Sequence, residues 1–120
     1  MKAESVRQQR VSDAIREEIA SSIIHDVKDP RVKGLITVTK VEVTGDLRLA
    51  RIYVSIINQT EDKNFKPDEV LKGLRHAVGF FKARLGKNAN LRHIPDLEFK
   101  ADEGMDYSEK IEQILKEIKK

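Results

Sequence analysis

The sequence predicts one α+β domain in which a three-stranded mixed sheet is covered by helices. Three observations carry this expectation. Val11, Ile15, Ile19, Ile23 and Val27 recur at four-residue spacing, the mark of an apolar helix stripe. Residues 36–56 alternate apolar and polar around a Gly45-Asp46 turn, the mark of two half-buried strands joined as a hairpin. A second helical stripe, Leu71, Leu74, Val78, Phe81 and Leu85, separates that hairpin from a short alternating segment at Leu97, Phe99 and Ala101.

Ser5 and Gln8 have the spacing of a capping box and set the first helix start near residue 6. That helix has to end before Asp29-Pro30, because the residue preceding a proline resists the α conformation. Gly34 opens the first strand. Ile36 and Val38 lie on one parity and Val41 and Val43 on the other, so a bulge at Thr39-Lys40 is expected. In the second strand Ala50, Ile52, Val54 and Ile56 face one way, opposed by Arg51, Tyr53 and Ser55. Residues 58–66 are polar and read as a surface loop. Pro67 suits the first turn of the next helix, and Asp68 and Glu69 suit its dipole. Pro95 precedes the third strand, which pairs through a right-handed crossover from the second. Asp106 and Glu109 again have capping-box spacing, and Ile111, Ile114, Leu115 and Ile118 form a last amphipathic stripe. The order is α-β-β-α-α-β-α. The domain is expected over residues 1–104, with a C-terminal helical extension over 105–120.

At 120 residues the chain can bury one core, built mainly from Val, Ile, Leu and Ala because only 5% of residues are aromatic. The net charge of +3 is unevenly spread. Residues 1–71 balance, residues 94–120 are net acidic, and residues 72–93 hold Lys72, Arg75, Lys82, Arg84, Lys87 and Arg92 with no acid among them. Such a local field attracts a polyanion even when the total is small; the plain alternative is a solvated helix face. Cysteine is absent, which excludes disulfides, thiolate metal sites and cysteine nucleophiles. No apolar run reaches the roughly 20 residues needed to cross a bilayer, and residues 1–10 lack the apolar stretch of a signal peptide. A cytoplasmic address is expected.

No catalytic constellation stands out. His25, His76 and His93 have no zinc-like spacing, and His25 suits the end of a helix, where a cation is favoured. There is no phosphate-loop lysine motif, dinucleotide glycine signature or nucleophile elbow. Neither an enzyme nor a cofactor or metal site is expected.

The informative interruption is Ala77-Val78-Gly79 within the second stripe. Glycine inside a helix costs about 1 kcal/mol relative to alanine. One explanation is close packing against another element. The other is a kink that divides the segment into two helices and frees N–H groups for phosphate at the second helix's start. Arg75, His76 and Lys82 flank that point, with Lys72, Arg75, Gly79 and Lys82 along one flank of the helical wheel. Paired helices joined at a glycine-containing turn on a mixed three-stranded sheet form the architecture of a KH-type RNA-binding domain.

Over almost its whole length the chain closely resembles the bacterial ribosome-binding factor A family. The matching residues are Arg7-x-x-Arg10-Val11 with Ile15, Glu18 and Ile19; Asp29-Pro30-Arg31; Val38-Thr39 with Val41; and Asp46-Leu47. They continue through Ala50-x-Ile52-Tyr53-Val54-Ser55, Leu74-x-x-Ala77-x-Gly79 with Arg84 and Leu85, and Leu91-Arg92-x-x-Pro95-x-Leu97-x-Phe99-x-x-Asp102. The resemblance implies a type-II KH fold whose Gly-x-x-Gly loop is replaced by the Ala77-Val78-Gly79 kink. It implies a small-subunit assembly factor that binds the immature 30S subunit and assists folding and processing of the 5′ region of 16S rRNA. It further implies support of growth in the cold, release in functional connection with assembly GTPases, and no catalytic residue or cofactor. A monomer is expected. Without the Gly-x-x-Gly loop, single-strand sequence readout is not carried over, and backbone and shape recognition of folded rRNA is expected instead. The RNA-facing residues expected are Lys72, Arg75, His76, Ala77, Gly79, Lys82, Arg84, Lys87 and Arg92, with Tyr53 and Phe80 as candidates either for base stacking or for the core. The competing readings are a general RNA-binding or chaperone domain without ribosomal specificity and a protein-interaction module docking an acidic partner.

Overall fold

A computed structural model of the chain describes residues 5–58, 63–89 and 91–102. In chain order the elements are helix α1 (Val6–His25), strands β1 (Leu35–Val43) and β2 (Leu49–Ile57), helices α2 (Pro67–His76) and α3 (Val78–Asn88), and strand β3 (Asp96–Ala101). This is the expected α+β order. The helix expected over 105–120 lies outside the described residues.

The capping box at the start of α1 is complete. Ser5 Oγ accepts from the Gln8 N–H at 3.1 Å, and Gln8 Oε1 accepts from the Ser5 N–H at 3.0 Å. The Gln8 amide also donates to the Val43 carbonyl at 2.9 Å, so the cap ties α1 to the end of β1. The buried face of α1 differs from the four-residue stripe. Its centre runs Ser12, Ile15, Ile19 and Ser22, while Val11 and Ile23 lie at its margins. At about 3.6 residues per turn a strict four-residue row drifts by roughly 40° a step and cannot stay on one face. Ser12 is accommodated because its hydroxyl donates to the Gln9 carbonyl at 3.0 Å.

The sheet has the order β1-β2-β3, with β1 antiparallel and β3 parallel to β2. The register of β1 shifts between Val38 and Lys40, where the bulge is expected. The shift sets Ile36 opposite Ile56, Val38 opposite Val54, Val41 opposite Ile52 and Val43 opposite Ala50. Directly opposed side chains of an antiparallel pair share a face. Both parities of β1 therefore reach the face that β2 buries, and without the slip one half would turn its apolar residues to water.

The opposite face is built for water. One rung across the strands reads Glu42, Arg51, Glu98, and the next Lys40, Tyr53, Lys100. Lys40 pairs with Glu42 at 3.1 Å and Lys100 with Glu98 at 3.2 Å. The core accordingly forms on one side only. Ile15 and Ile19 of α1, Val70 and Leu74 of α2, and Phe81 and Leu85 of α3 cover Val38, Ile52, Val54 and Phe99 of the sheet. The Phe81 and Phe99 rings stand 5.3 Å apart.

Between α1 and β1 the chain forms a clamp. Arg31 Nε donates to Asp29 Oδ1 at 3.1 Å, Nη2 to Oδ2 at 2.7 Å, and the Arg31 N–H to Oδ1 at 2.9 Å. The turn rests on α2 at Gly73, where a Cβ would lie 2.8 Å from Val32 Cγ2 and 3.2 Å from Arg31 Cβ. The Arg31 guanidinium and backbone N–H together hold the Asp29 carboxyl at about 2, below its ordinary 3.8.

Gly73→Ala is expected to lower stability by about 1–2 kcal/mol in urea unfolding, because the overlap outweighs the helix gain of alanine. A carboxyl depressed in the folded state contributes stability above its unfolded value and loses it as pH falls through the folded one. The clamp's contribution is thus present above pH 3.8 and disappears as the pH approaches 2. Followed by NMR, the Asp29 carboxyl should titrate at about 2 in the native protein and higher in Arg31→Ala, still below 3.8 because the N–H of residue 31 continues to donate to it.

Candidate nucleic-acid interface

The break in the second helical stripe is real and lies at Ala77, whose φ of −88° and ψ of 7° leave the helix. Its N–H donates to the Gly73 and Leu74 carbonyls, each at 3.1 Å, which closes α2. The first bond of α3 runs from the Phe81 N–H to the Ala77 carbonyl at 3.0 Å. As at any helix start, the N–H groups of Val78, Gly79 and Phe80 then have no acceptor within the helix. Gly79 and Phe80 are exposed.

Close packing does not explain Gly79. A Cβ placed there meets nothing within 4 Å. The close-packed glycine of this region is Gly73, six residues earlier, which periodicity alone does not single out. It is legible only once Asp29-Pro30-Arg31 is known to lie against α2.

The basic segment is acid-free in sequence but not in space. Lys72 turns back to Glu69 at 3.3 Å. Arg75 and Lys82 point towards β3, the strand at the sheet's edge: Arg75 Nη2 donates to the Phe99 carbonyl at 3.1 Å, and Lys82 Nζ to Asp96 Oδ1 at 2.9 Å. Arg84 points the other way, to Asp26 just past α1, at 2.9 Å. Its guanidinium also lies 5.4 Å from the centre of the Phe80 ring. His76 lies on that second side, near enough for its charge to favour the ionised form of Asp29. Lys87 and Arg92 are exposed and have no ion pair among the described residues. Lys87 is nine residues along α3 from the break, about 13 Å away.

The candidate residues therefore divide into four groups. Ala77 and Gly79 form the start of α3, and Arg75 and Lys82 on either side of it in sequence both reach β3, at Phe99 and Asp96. His76 and Arg84 lie on the α1 side with Phe80. Lys87 lies in the last turn of α3 and Arg92 beyond it, and Lys72 stays on α2. A pair as exposed as Lys82–Asp96, with the carboxylate 81% accessible, contributes about 0–1 kcal/mol and can be exchanged for a phosphate. Of the two stacking candidates, Phe80 is exposed, whereas Tyr53 is half-buried on the outer sheet face with Lys40 Nζ 5.7 Å from its ring centre. Among the described residues, no His, Asp or Glu cluster can hold a metal ion, and no helix is long and apolar enough to cross a membrane.

With this geometry in place, comparison with known proteins is direct. The family model described as ribosome-binding factor A matches residues 7–115. Ribosome-binding factor A of Caldanaerobacter subterraneus subsp. tengcongensis is 37% identical over 120 residues, spanning 100% of this chain and 95% of its own length. The crystal structure of ribosome-binding factor A from Thermus thermophilus shares the fold with a TM-score of 0.66, at 23% identity, covering 78% of this chain and 93% of that one. A homology model of the Thermus thermophilus factor, fitted into a cryo-EM map of its complex with the 30S subunit, aligns with a TM-score of 0.56 at 26% identity. It covers 82% of this chain and 93% of that one.

Because Gly79 is helical and faces open space, Gly79→Ala is expected to stabilise the fold by about 0.5 kcal/mol in chemical unfolding. The sign is opposite to that expected at Gly73.

Proposed function

The chain belongs to the ribosome-binding factor A family, and from that premise we propose that it binds the small ribosomal subunit through the start of α3 and the adjoining edge of β3. The observation that carries this reading is the break at Ala77. It presents the N–H groups of Val78, Gly79 and Phe80 between Arg75 and Lys82, on a surface that no side chain at 79 obstructs. Backbone donors and a helix dipole favour a phosphate there, and the two cations can close on it. Lys87 and Arg92 then meet phosphates farther along the strand.

A surface of this kind holds an RNA conformation; it does not read a sequence. The protein in this reading is an assembly factor without catalysis. It binds the immature 30S subunit as a monomer in the cytoplasm and stabilises a precursor conformation of 16S rRNA. It thereby assists folding and processing of the 5′ region, a contribution most needed in the cold, where misfolded RNA rearranges slowly. Its departure is coupled to assembly GTPases. The family membership and the 30S complex of the Thermus thermophilus factor support the ribosomal part of this proposal.

Binding to isolated 30S subunits should weaken with salt, and log K should fall by roughly 0.7–0.9 per decade of salt for each phosphate contact. The double variant Arg75→Gln/Lys82→Gln is expected to bind roughly 10- to 100-fold more weakly, with a salt slope shallower by about 1–2. Thermal melting of the variant controls for the Arg75–Phe99 contact. An unchanged affinity and slope in a folded variant would sink the proposed face, and equal competition by unrelated bulk RNA would reduce the protein to a general RNA binder.

A further inference from the structure

Residues 1–71 carry no net charge, yet the fold gathers three of their arginines at one end of the sheet. Strands β2 and β3 both begin at that end, with Leu49 opposite Asp96, and the Asp96 N–H donates to the Arg48 carbonyl at 2.8 Å. Helix α1 begins there too, because Gln8 is bonded to Val43 where β1 finishes. Arg7 and Arg10 lie in the first two turns of α1, and Arg48 directly precedes β2. Arg92 joins them from the segment that leads from α3 into β3, four residues before Asp96. All four are exposed, and none has an ion pair among the described residues.

The carboxylates of this end are already engaged. Asp13 accepts from the Gln9 amide at 2.8 Å, Asp46 from the Thr44 hydroxyl at 2.7 Å, and Asp96 from Lys82 at 2.9 Å. On the neighbouring outer rung Glu42 and Glu98 pair with Lys40 and Lys100. Counting Lys82, five cations stand against Asp13, Asp46 and Asp96, which leaves a positive surplus of two on the surface.

Arg7 also sits where its own helix disfavours it. A cation in the first turn opposes the helix dipole. Helix α1 has no acid in that turn to offset it, whereas α2 carries Asp68 and Glu69 there. A residue that weakens the fold without a compensating contact marks a functional position. An exposed, unpaired guanidinium is the form in which arginine takes a phosphate through two parallel hydrogen bonds.

We propose that the rRNA-binding surface continues round this end of the sheet, where Arg7, Arg10 and Arg48 take backbone phosphates of a second RNA segment. The inference rests on the RNA-binding reading above. Lys82 links the two surfaces, because it belongs to the first and ends on Asp96, beside Arg48. Contacts on two sides of the molecule fix two RNA segments relative to each other. A protein without base readout favours one RNA conformation in this way.

The test compares the wild-type protein, Arg7→Gln/Arg10→Gln/Arg48→Gln and Arg75→Gln/Lys82→Gln on isolated 30S subunits, by salt titration and by hydroxyl-radical footprinting at saturating protein. The triple variant is expected to bind on the order of 10- to 100-fold more weakly, with a salt slope shallower by about 1–2. It should lose a set of 16S rRNA backbone protections that Arg75→Gln/Lys82→Gln retains. Its urea midpoint should equal or exceed that of wild type, since removing Arg7 relieves the opposition to the dipole. If it binds with wild-type affinity and slope while Arg75→Gln/Lys82→Gln is impaired, the second surface falls and the first stands. If it binds weakly with the wild-type slope and every protection intact, the arginines meet a ribosomal protein and the proposal is overturned. A lowered midpoint assigns them to the fold and overturns it as well. If the wild-type protein does not bind 30S subunits, both readings fall together.

Discussion

The parallel pairing of β3 with β2 constrains the rest of the molecule. The chain leaves β2 at Ile57 and has to begin β3 at Asp96, beside Leu49, at the opposite end of the sheet. A parallel neighbour can be reached only by a crossover that travels back over one face. With the outer face committed to charged rungs, that crossover has to lie on the apolar one. A continuous helix from Pro67 to Asn88 would be about 33 Å long, whereas the six residues of β3 span about 20 Å. Breaking the helix at Ala77 resolves the mismatch. It lets α2 lie along β3 and α3 turn across to meet α1. The break is thus a consequence of topology before it is a device for binding.

Its electrostatic setting follows from the same geometry. Because α2 and α3 diverge at Ala77, the cations of one basic segment are sent to different neighbours: Arg75 and Lys82 to the sheet edge, Arg84 to the end of α1. Arg75 serves the fold by filling a carbonyl on the outer side of β3, a group that an edge strand leaves unpaired. Lys82 and Arg84 are held against single carboxylates near the surface. Pairs of this kind restrain long side chains at little gain in stability. The cations are kept close to the start of α3 without being consumed there.

Much of this was legible in the residues. The split parity of Ile36–Val38 and Val41–Val43 called for a bulge, and the pairing of β1 with β2 has one between Val38 and Lys40. Ser5 and Gln8 located the start of α1, and Ala77-Val78-Gly79 located the break. What periodicity could not supply were contacts between distant segments. Asp26 and Asp96 neutralise part of the basic stripe from 58 and 14 residues away in sequence, which no local pattern reveals. Gly73 reads as an ordinary helical glycine until the Asp29–Arg31 clamp is placed against it. In the turn after β1 the left-handed residue is Leu47, with φ of 61°, two residues past Gly45. Asp46 holds that turn by accepting from the Arg48 N–H at 3.1 Å and the Thr44 hydroxyl at 2.7 Å.

The two glycines of the crossover show how fold and function divide the same helix pair. Gly73 is there because the clamp occupies the space a side chain would need. Gly79 has no such reason: its backbone is helical, its surroundings are open, and it costs about 0.5 kcal/mol relative to alanine. A local choice that weakens the fold with no compensating contact inside the chain is the pattern of a functional position. At residue 79 a side chain would stand beside the exposed N–H groups of α3, between Arg75 and Lys82. Bare backbone lets an anion approach those donors more closely than any Cβ would permit. Topology made the helix start available, and the glycine keeps it open.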